Sequence, residues 1–219
     1  MSLPLIVRHL GMVDYVPTLA AMQAFTEQRT AATIDECWVL QHHPVFTQGL
    51  GGRAEHVLNP GDIPVIRTDR GGQVTYHGPG QLVIYCLFDL RRHAWGIREL
   101  VCRLEDSVIA WLAAYDVQVC GNRQAPGVYT LAGAKLASVG LRVRRGCCYH
   151  GLSINIAMDI SPFQRINPCG FAGLPITQVC DLGVPLTPMQ AADELLPWLC
   201  QSFAYAPEPP VSQGQDCTG

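Results

Sequence analysis

Two alternating segments joined by a two-residue turn set the first limit on how this chain can fold. Residues 135–144 place Ala137, Val139, Leu141 and Val143 on one face, opposite Leu136, Ser138, Gly140 and Arg142. Residues 147–156 place Cys148, His150, Leu152, Ile154 and Ile156 on one face, opposite Tyr149, Gly151, Ser153 and Asn155. A period of two marks a half-buried strand, and Arg145-Gly146 supplies a hairpin turn between the two. Residues 127–130 form a third such segment just upstream, so the spacing predicts three strands in antiparallel series. Before them, Ile97, Leu100, Val101, Leu104, Val108, Trp111, Leu112 and Tyr115 recur at helical spacing over residues 96–115. Arg98, Glu99, Arg103, Glu105 and Asp106 fall on the other side, so this helix reads as core packing without chemistry of its own.

The remaining pattern is consistent with one α+β domain over residues 1–205. Residues 4–10, 36–41, 64–68, 82–88 and 116–120 read as strands. Residues 17–29 read as a helix with Leu19, Met22 and Phe25 on one side, and a last helix starts behind Thr187 as N-cap with Pro188 in its first turn. Residues 42–49 and 159–181 read as irregular, and 49–62 as loop with one helical turn. Strands and helices mix without β-α-β regularity, which predicts a mixed, largely antiparallel sheet flanked by helices. Residues 206–219 are polar and proline-rich and are expected to be a disordered tail.

Composition narrows the function classes. A formal net charge of −3 and a pI near 6.1 give no basic field for nucleic acid. No basic segment followed by a long apolar run opens the chain, and no stretch approaches the about 18 apolar residues of a membrane span. A cytoplasmic protein without membrane or nucleic-acid partner is therefore expected. The ten cysteines are scattered and include no Cys-x-x-Cys pair. Cys37, Cys86 and Cys102 lie in apolar runs and read as small reduced core residues. His42-His43 is the nearest thing to a metal-ligand pair, but neighbours in a strand point apart, and no metal site is expected.

Three stretches carry chemistry. Residues 70–81 (Arg-Gly-Gly-Gln-Val-Thr-Tyr-His-Gly-Pro-Gly-Gln) hold four glycines and a dense set of donors and acceptors immediately before an apolar strand. A polar, glycine-rich loop fixed to a core strand is a common way to present a binding site. The second stretch surrounds Lys135: the chain's fifteen basic residues comprise fourteen arginines and this single lysine. Lysine, unlike arginine, can surrender its proton when desolvated. The third is Cys169, held between Pro168 and Gly170, a thiol presented on a stiff turn rather than packed in a strand. Competing motifs are missing: there is no Gly-x-x-x-x-Gly-Lys loop, no Gly-x-Ser-x-Gly elbow, no Gly-x-Gly-x-x-Gly fingerprint and no evident couple among Asp89, Glu99 and Glu105.

Taken together, Pro44–Gly49, Arg70–Gln81, Ala125–Tyr129, Lys135 with Ser138–Gly140, His150–Asn155 and Ile166–Gly170 resemble, in this order, the bacterial lipoyl(octanoyl) transferases. The resemblance implies the biotin/lipoate protein ligase fold, a thioester on Cys169 and Lys135 as its partner. It implies an acyl pocket lined by Arg70, Gly71, Gly72, Gln73, Val74, Thr75, Tyr76 and His77, by Ser138, Val139 and Gly140, and by Gly151, Leu152 and Ser153. It implies octanoyl-acyl carrier protein as donor, and as acceptors the lipoyl domains of 2-oxoacid dehydrogenase complexes and the glycine cleavage H protein. No cofactor is implied, because passing from thioester to amide is downhill. Two other readings stand beside it: an ATP-dependent lipoate or biotin ligase of the same fold, and a non-catalytic carrier- or lipoyl-domain-binding protein.

Overall fold

The chain folds, in a computed structural model that describes residues 2–93 and 95–207, around two sheets. In order along the chain these are β1 (Leu3–Val13), α1 (Tyr15–Gln28), β2 (Asp35–His42), β3 (Val45–Gln48), β4 (Val65–Arg67), β5 (Val74–His77) and β6 (Gln81–Leu87). There follow α2 (Ile97–Ala113), β7 (Val119–Gly121), β8 (Gly127–Thr130), β9 (Lys135–Arg144), β10 (Cys147–Asn155), α3 (Pro188–Phe203) and β11 (Tyr205–Pro207). The large sheet runs β11-β1-β2-β6-β10-β9-β8-β7 and is antiparallel except where β1 meets β11 and β2. The predicted series of three strands is present, with Gly151 opposite Gly140 and Ser153 opposite Ser138 across the hairpin.

Amphipathic helices cover both faces. Leu100, Leu104, Val108 and Trp111 of α2, with Leu195, Leu199 and Phe203 of α3, pack on Ile84, Cys86, Leu152 and Ile154. On the other face Met22 of α1 joins Trp38, Leu40, Val83, Tyr85 and Tyr149. The start of α3 is fixed by a capping box: Thr187 Oγ1 accepts Gln190 N–H, while Gln190 Oε1 accepts Thr187 N–H at 2.9 Å. The helix stops at Phe203 because Ala204 turns left-handed (φ 56°), and Tyr205, Ala206 and Pro207 continue as β11. The expected disordered tail therefore begins in a strand, and its residues 208–219 lie outside the described residues.

The structure corrects several sequence expectations. A second sheet, β4-β3-β5, joins the expected strand near residues 64–68 to two strands, β3 and β5, in stretches that read as loops at residues 42–49 and 70–81. Its apolar side is only Phe46, Val74 and Tyr76, packed on Phe163 and Ile166, and the polar alternates Thr47, Thr75 and His77 disguise the period. His150 does not share a face with Cys148 and Leu152. Its left-handed backbone (φ 62°) turns the ring onto Tyr149, centroids 5.0 Å apart. Cys102 is exposed on the outer side of α2. Ile97 and Tyr115 overhang the ends of the helix stripe and are exposed, whereas Glu105, assigned to the solvent side, is 8% exposed. Residues 114–116 turn, with Asp116 left-handed, and 117–118 are irregular before the strand begins at Val119.

Candidate active site

Cys169 sits at the middle of a 3-10 turn, Pro168–Gly170, that closes on itself through Gly170 N–H to Asn167 O and Phe171 N–H to Pro168 O. Its backbone is left-handed (φ 56°, ψ 15°), a conformation that a side-chain-bearing residue adopts only when its surroundings impose it. Proline before it and glycine after it, the latter at φ 83°, make that turn possible. Asn167 N–H on His56 O at 2.8 Å anchors the turn from behind.

Lys135 opens β9 and is 2% exposed. Its Nζ has three acceptors for three protons: Cys169 Sγ at 3.1 Å, Tyr129 Oη at 2.8 Å and Pro126 O at 3.2 Å. The stretch 125–129 forms this cradle. Tyr129 Oη donates to Ala125 O at 2.7 Å, and burial pushes its phenol up although Lys135 pulls it down, so it stays protonated. Gly127 (φ 145°) is obligatory, since a Cβ there would run into Ala137 O and lie 3.0 Å from Lys135 Cε. The register between β8 and β9 slips between Val128 and Tyr129, the kind of irregularity that re-aims a side chain at a site.

A cavity of about 360 Å³ opens beside Cys169, within the range of small-ligand sites. Its wall includes Arg70, Gly71, Gly72, Gln73, Val74, Thr75 and His77, together with Ser138, Val139 and Gly140 on β9 and Gly151, Leu152 and Ser153 on β10. Tyr76 is not among the lining residues. Strand alternation turns its ring away from the cavity onto Phe46 and Phe163, with centroids 5.4 and 5.5 Å away. Sequence reasoning missed the floor (Tyr15, Val83, Tyr85, His150), the rim (Ile97, Val101, Gln124) and Ala125, Pro126 and Leu141 along the wall. Only the aromatic and histidine content of β6 and β10 hinted at the floor.

Arg70 holds the glycine-rich turn over this cavity. Its side chain is buried and donates to Thr47 Oγ1, to Thr47 O at 2.6 Å, to Gln73 O at 2.8 Å and to Gly71 O at 2.9 Å. No carboxylate lies within ion-pair distance of it among the described residues. Burial pushes its guanidinium proton affinity down, opposed by Tyr15 and Cys169. Gly49 packs against the same turn, where any Cβ would meet Gly72 O and Arg70 O. Gly140 gives the Arg70 side chain its room, a Cβ there lying 3.2 Å from Arg70 Cδ.

Neutral imidazoles and phenols line the cavity and support it from behind. His77 Nδ1–H donates to Gln81 Oε1 at 2.7 Å, a tautomer set by Gln81 Nε2 donating to Asn155 Oδ1 and Tyr76 O. Burial, then the neighbouring His42, drives the His77 pKa down to about 3. His42 donates from Nδ1 to Val13 O, accepts Tyr85 Oη–H at 2.7 Å and is lowered by burial to about 4. His150 Nε2–H donates to Asp69 Oδ1 at 2.9 Å, and burial keeps the ring neutral against that carboxylate's pull. Burial raises Asp69, but hydrogen bonds from His150, Tyr149 and Gln23 outweigh it and hold the group well below the usual carboxylate range. Among the described residues no cluster of three His, Cys, Asp or Glu could hold a metal ion.

Comparison with known proteins places this geometry. Residues 14–199 match the family described as the lipoyl protein ligase A/B catalytic domain. An octanoyltransferase from Chromobacterium violaceum is 57% identical over 206 residues, covering 94% of this chain and 99% of the relative. One from Pseudomonas aeruginosa is 55% identical over 218 residues, spanning both chains in full. Among solved structures, lipoate-protein ligase A bound with ATP superimposes with a TM-score of 0.76 at 14% identity, covering 97% of this chain and 90% of the other. A bipartite lipoate protein ligase from Thermoplasma acidophilum gives 0.75 at 14% identity, over 97% and 88%. The biotin protein ligase from Aquifex aeolicus gives 0.59 at 14% identity, over 90% and 70%. The fold is thus that of the lipoate and biotin protein ligases, and the chain belongs to the lipoyl protein ligase A/B catalytic-domain family, among the octanoyltransferases.

Proposed function

We infer that this enzyme transfers an octanoyl group from acyl carrier protein to the acceptor lysine of lipoyl domains through a thioester on Cys169. The observation that carries this reading is the 3.1 Å contact between Lys135 Nζ and Cys169 Sγ at the side of a mainly apolar cavity. An ammonium at that distance favours negative charge on sulfur. The thiolate attacks the carbonyl carbon of the donor thioester, and the C–S bond to the carrier breaks. The carrier thiol leaves with a proton from Lys135, and octanoyl-Cys169 remains. The neutral amine of the acceptor lysine then attacks this thioester, Lys135 takes the amine proton, and Cys169 leaves as thiolate. His77 is a poor alternative base, because a group titrating near 3 has too little affinity for the amine proton to take it up. Gly72 N–H, on the turn above the cavity, suits the oxyanion; its neighbour Gly71 N–H is already spent on Leu141 O at 2.9 Å. Thioester aminolysis is downhill, so ATP is not required. Among the described residues no helix is long and apolar enough to cross a membrane. Acceptors of this chemistry are the lipoyl domains of 2-oxoacid dehydrogenase complexes and the glycine cleavage H protein, in the cytoplasm.

The fold it shares with a ligase that binds ATP supports a second reading, activation of a free acid by ATP. Intact mass after incubation with octanoyl-acyl carrier protein, without ATP, separates the two. One octanoyl adduct, removed by neutral hydroxylamine and absent in Cys169→Ala, is expected. Absence of the adduct, together with lipoyl-domain modification only when ATP and free octanoate are supplied, would reverse the assignment.

A further inference from the structure

Glu105 is a buried carboxylate beside the site that the chemistry above does not use. It lies on the side of α2 whose sequence pattern is polar, yet it is 8% exposed. Its Oε1 accepts Gly127 N–H at 2.6 Å, and no arginine or lysine pairs with it directly among the described residues. Its Oε2 lies against Gly121, where a Cβ would stand 2.7 Å away, so the β7–β8 edge closes tightly over the group. The peptide it grips is the one that must remain without a Cβ beside Lys135 Cε and Nζ, between the carbonyl and the phenol that accept from that ammonium.

We propose that Glu105 is the positioning residue of Lys135, holding the Gly127 peptide so that the ammonium points at Cys169 and standing behind it as a fixed counter-charge. The proposal rests on the Cys169–Lys135 reading given above. Two consequences follow from where the charge sits. When Cys169 becomes acylated, the lysine loses its neighbouring thiolate, and Glu105 is the anion that remains. A residue that only anchored the peptide would need an acceptor; one that also sets the lysine's proton affinity needs the charge.

The surroundings are simple enough to assign signs. Lys135 is faced by Cys169 from the 168–170 turn, by Tyr129 from β8 and by Glu105 from α2. Cys169 is faced additionally by Arg70. Burial pushes the Glu105 carboxyl up, Gly127 N–H pulls it down, Asp106 pushes it up and Lys135 pulls it down. Removing its charge therefore makes the lysine easier to deprotonate and removes a repulsion on the thiolate.

Glu105→Gln keeps an oxygen for Gly127 N–H and deletes the charge; Glu105→Ala deletes both. The test is iodoacetamide alkylation of Cys169 from pH 5 to 9, read by peptide mass, with exposed Cys102 and Cys120 of the same molecules as internal references. The expected result has two parts. In Glu105→Gln the Cys169 profile moves to lower pH by a few tenths of a unit while the reference cysteines do not move, and octanoyl transfer stays within about threefold of wild type. In Glu105→Ala transfer falls tenfold or more. An unmoved Cys169 profile in Glu105→Gln overturns the counter-charge, and this variant decides the matter alone should Glu105→Ala not fold. Wild-type transfer by Glu105→Ala overturns the positioning role. Because alkylation does not require an acyl donor, an absent octanoyl adduct in the wild type would sink the thioester chemistry separately.

Discussion

Asp35 and Arg70 are both buried charges, and their surroundings are opposite. Asp35, fully buried at the start of β2, accepts from Arg29, from Arg92 at 3.3 Å, from Tyr205 Oη at 2.6 Å and from Asp89 N–H at 2.9 Å. These partners come from the end of α1, the 3-10 turn after β6, and β11, so one carboxylate ties together four separate parts of the chain. Nothing about it faces the cavity. Arg70 is buried too, but every acceptor it has is a neutral oxygen of Thr47, Gly71 or Gln73, and it lines the cavity beside Cys169. A charge surrounded by opposite charge is complete and serves the fold. A charge bonded only to neutral groups keeps its field, and Arg70 directs that field into the site.

The largest expected effect concerns a third buried charge, Lys135, whose acceptors include the sulfur proposed to react. Lys135→Arg preserves the charge, but a guanidinium does not give up its proton. Transfer should fall by about 100- to 10,000-fold, the usual worth of a positioned acid–base group, with a melting temperature near wild type. A variant with undiminished transfer would mean that Lys135 acts by charge alone and belongs beside Arg70. Next comes Asp35→Ala, which strands the buried Arg29 and takes from Arg92 the nearer of its two carboxylates. Breaking a buried pair this way costs about 3–5 kcal/mol, visible in urea unfolding, while Cys169 alkylation of the folded protein stays at the wild-type rate. Arg70→Met inverts the ranking: octanoyl-Cys169 forms at least tenfold more slowly, while stability falls less than in Asp35→Ala, because no carboxylate is stranded. If Arg70→Met proved the more destabilising and still formed the adduct normally, the distinction between complete and open charges would fail.

Legibility in the sequence follows the same division. The hairpin of β9 and β10 and the cap of α3 were readable because period and capping are local rules that burial on one face enforces. Stretch 125–129 stood out as a motif, although only the structure shows that Ala125 O, Pro126 O, Gly127 and Tyr129 form one cradle. Strands β3 and β5 were hidden because their inward side is just Phe46, Val74 and Tyr76, too few for a period to emerge from threonine, glutamine and histidine. His150 and Glu105 were misplaced for a different reason. One has left-handed backbone within a strand, and the other is a carboxylate buried by a neighbouring edge that lies sixteen or more residues away in sequence. Neither deviation leaves a trace in alternation or helical spacing. Contact between Lys135 and Cys169 came from family resemblance; spacing alone could not bring together residues 34 apart.

The smallest effect bears on why Arg70 can remain the cavity's cation. The imidazole of His77, in the cavity wall, and that of His42 packed against it, with centroids 5.8 Å apart, would add positive charge near the cavity if they took up protons. Burial lowers His42 to about 4 and His77 to about 3, so in the native state they stay neutral to well below their ordinary range. An unfolded chain protonates the same histidines near pH 6.5. Below that pH the unfolded state binds more protons than the native one, so stability must fall as pH falls, by about 1.4 kcal/mol per unit for each histidine. The loss for His42 ends where the native ring itself titrates, near pH 4. His42→Asn removes this proton sink while keeping a polar side chain against Val13 O and Tyr85. Urea unfolding should show the variant less stable than wild type at pH 7, with the gap narrowing by about 2 kcal/mol at pH 5. A gap that stays constant would mean that His42 titrates as it does in water. A protonated imidazole would then form behind His77 at mildly acid pH, and the field at the cavity would not be that of Arg70 alone.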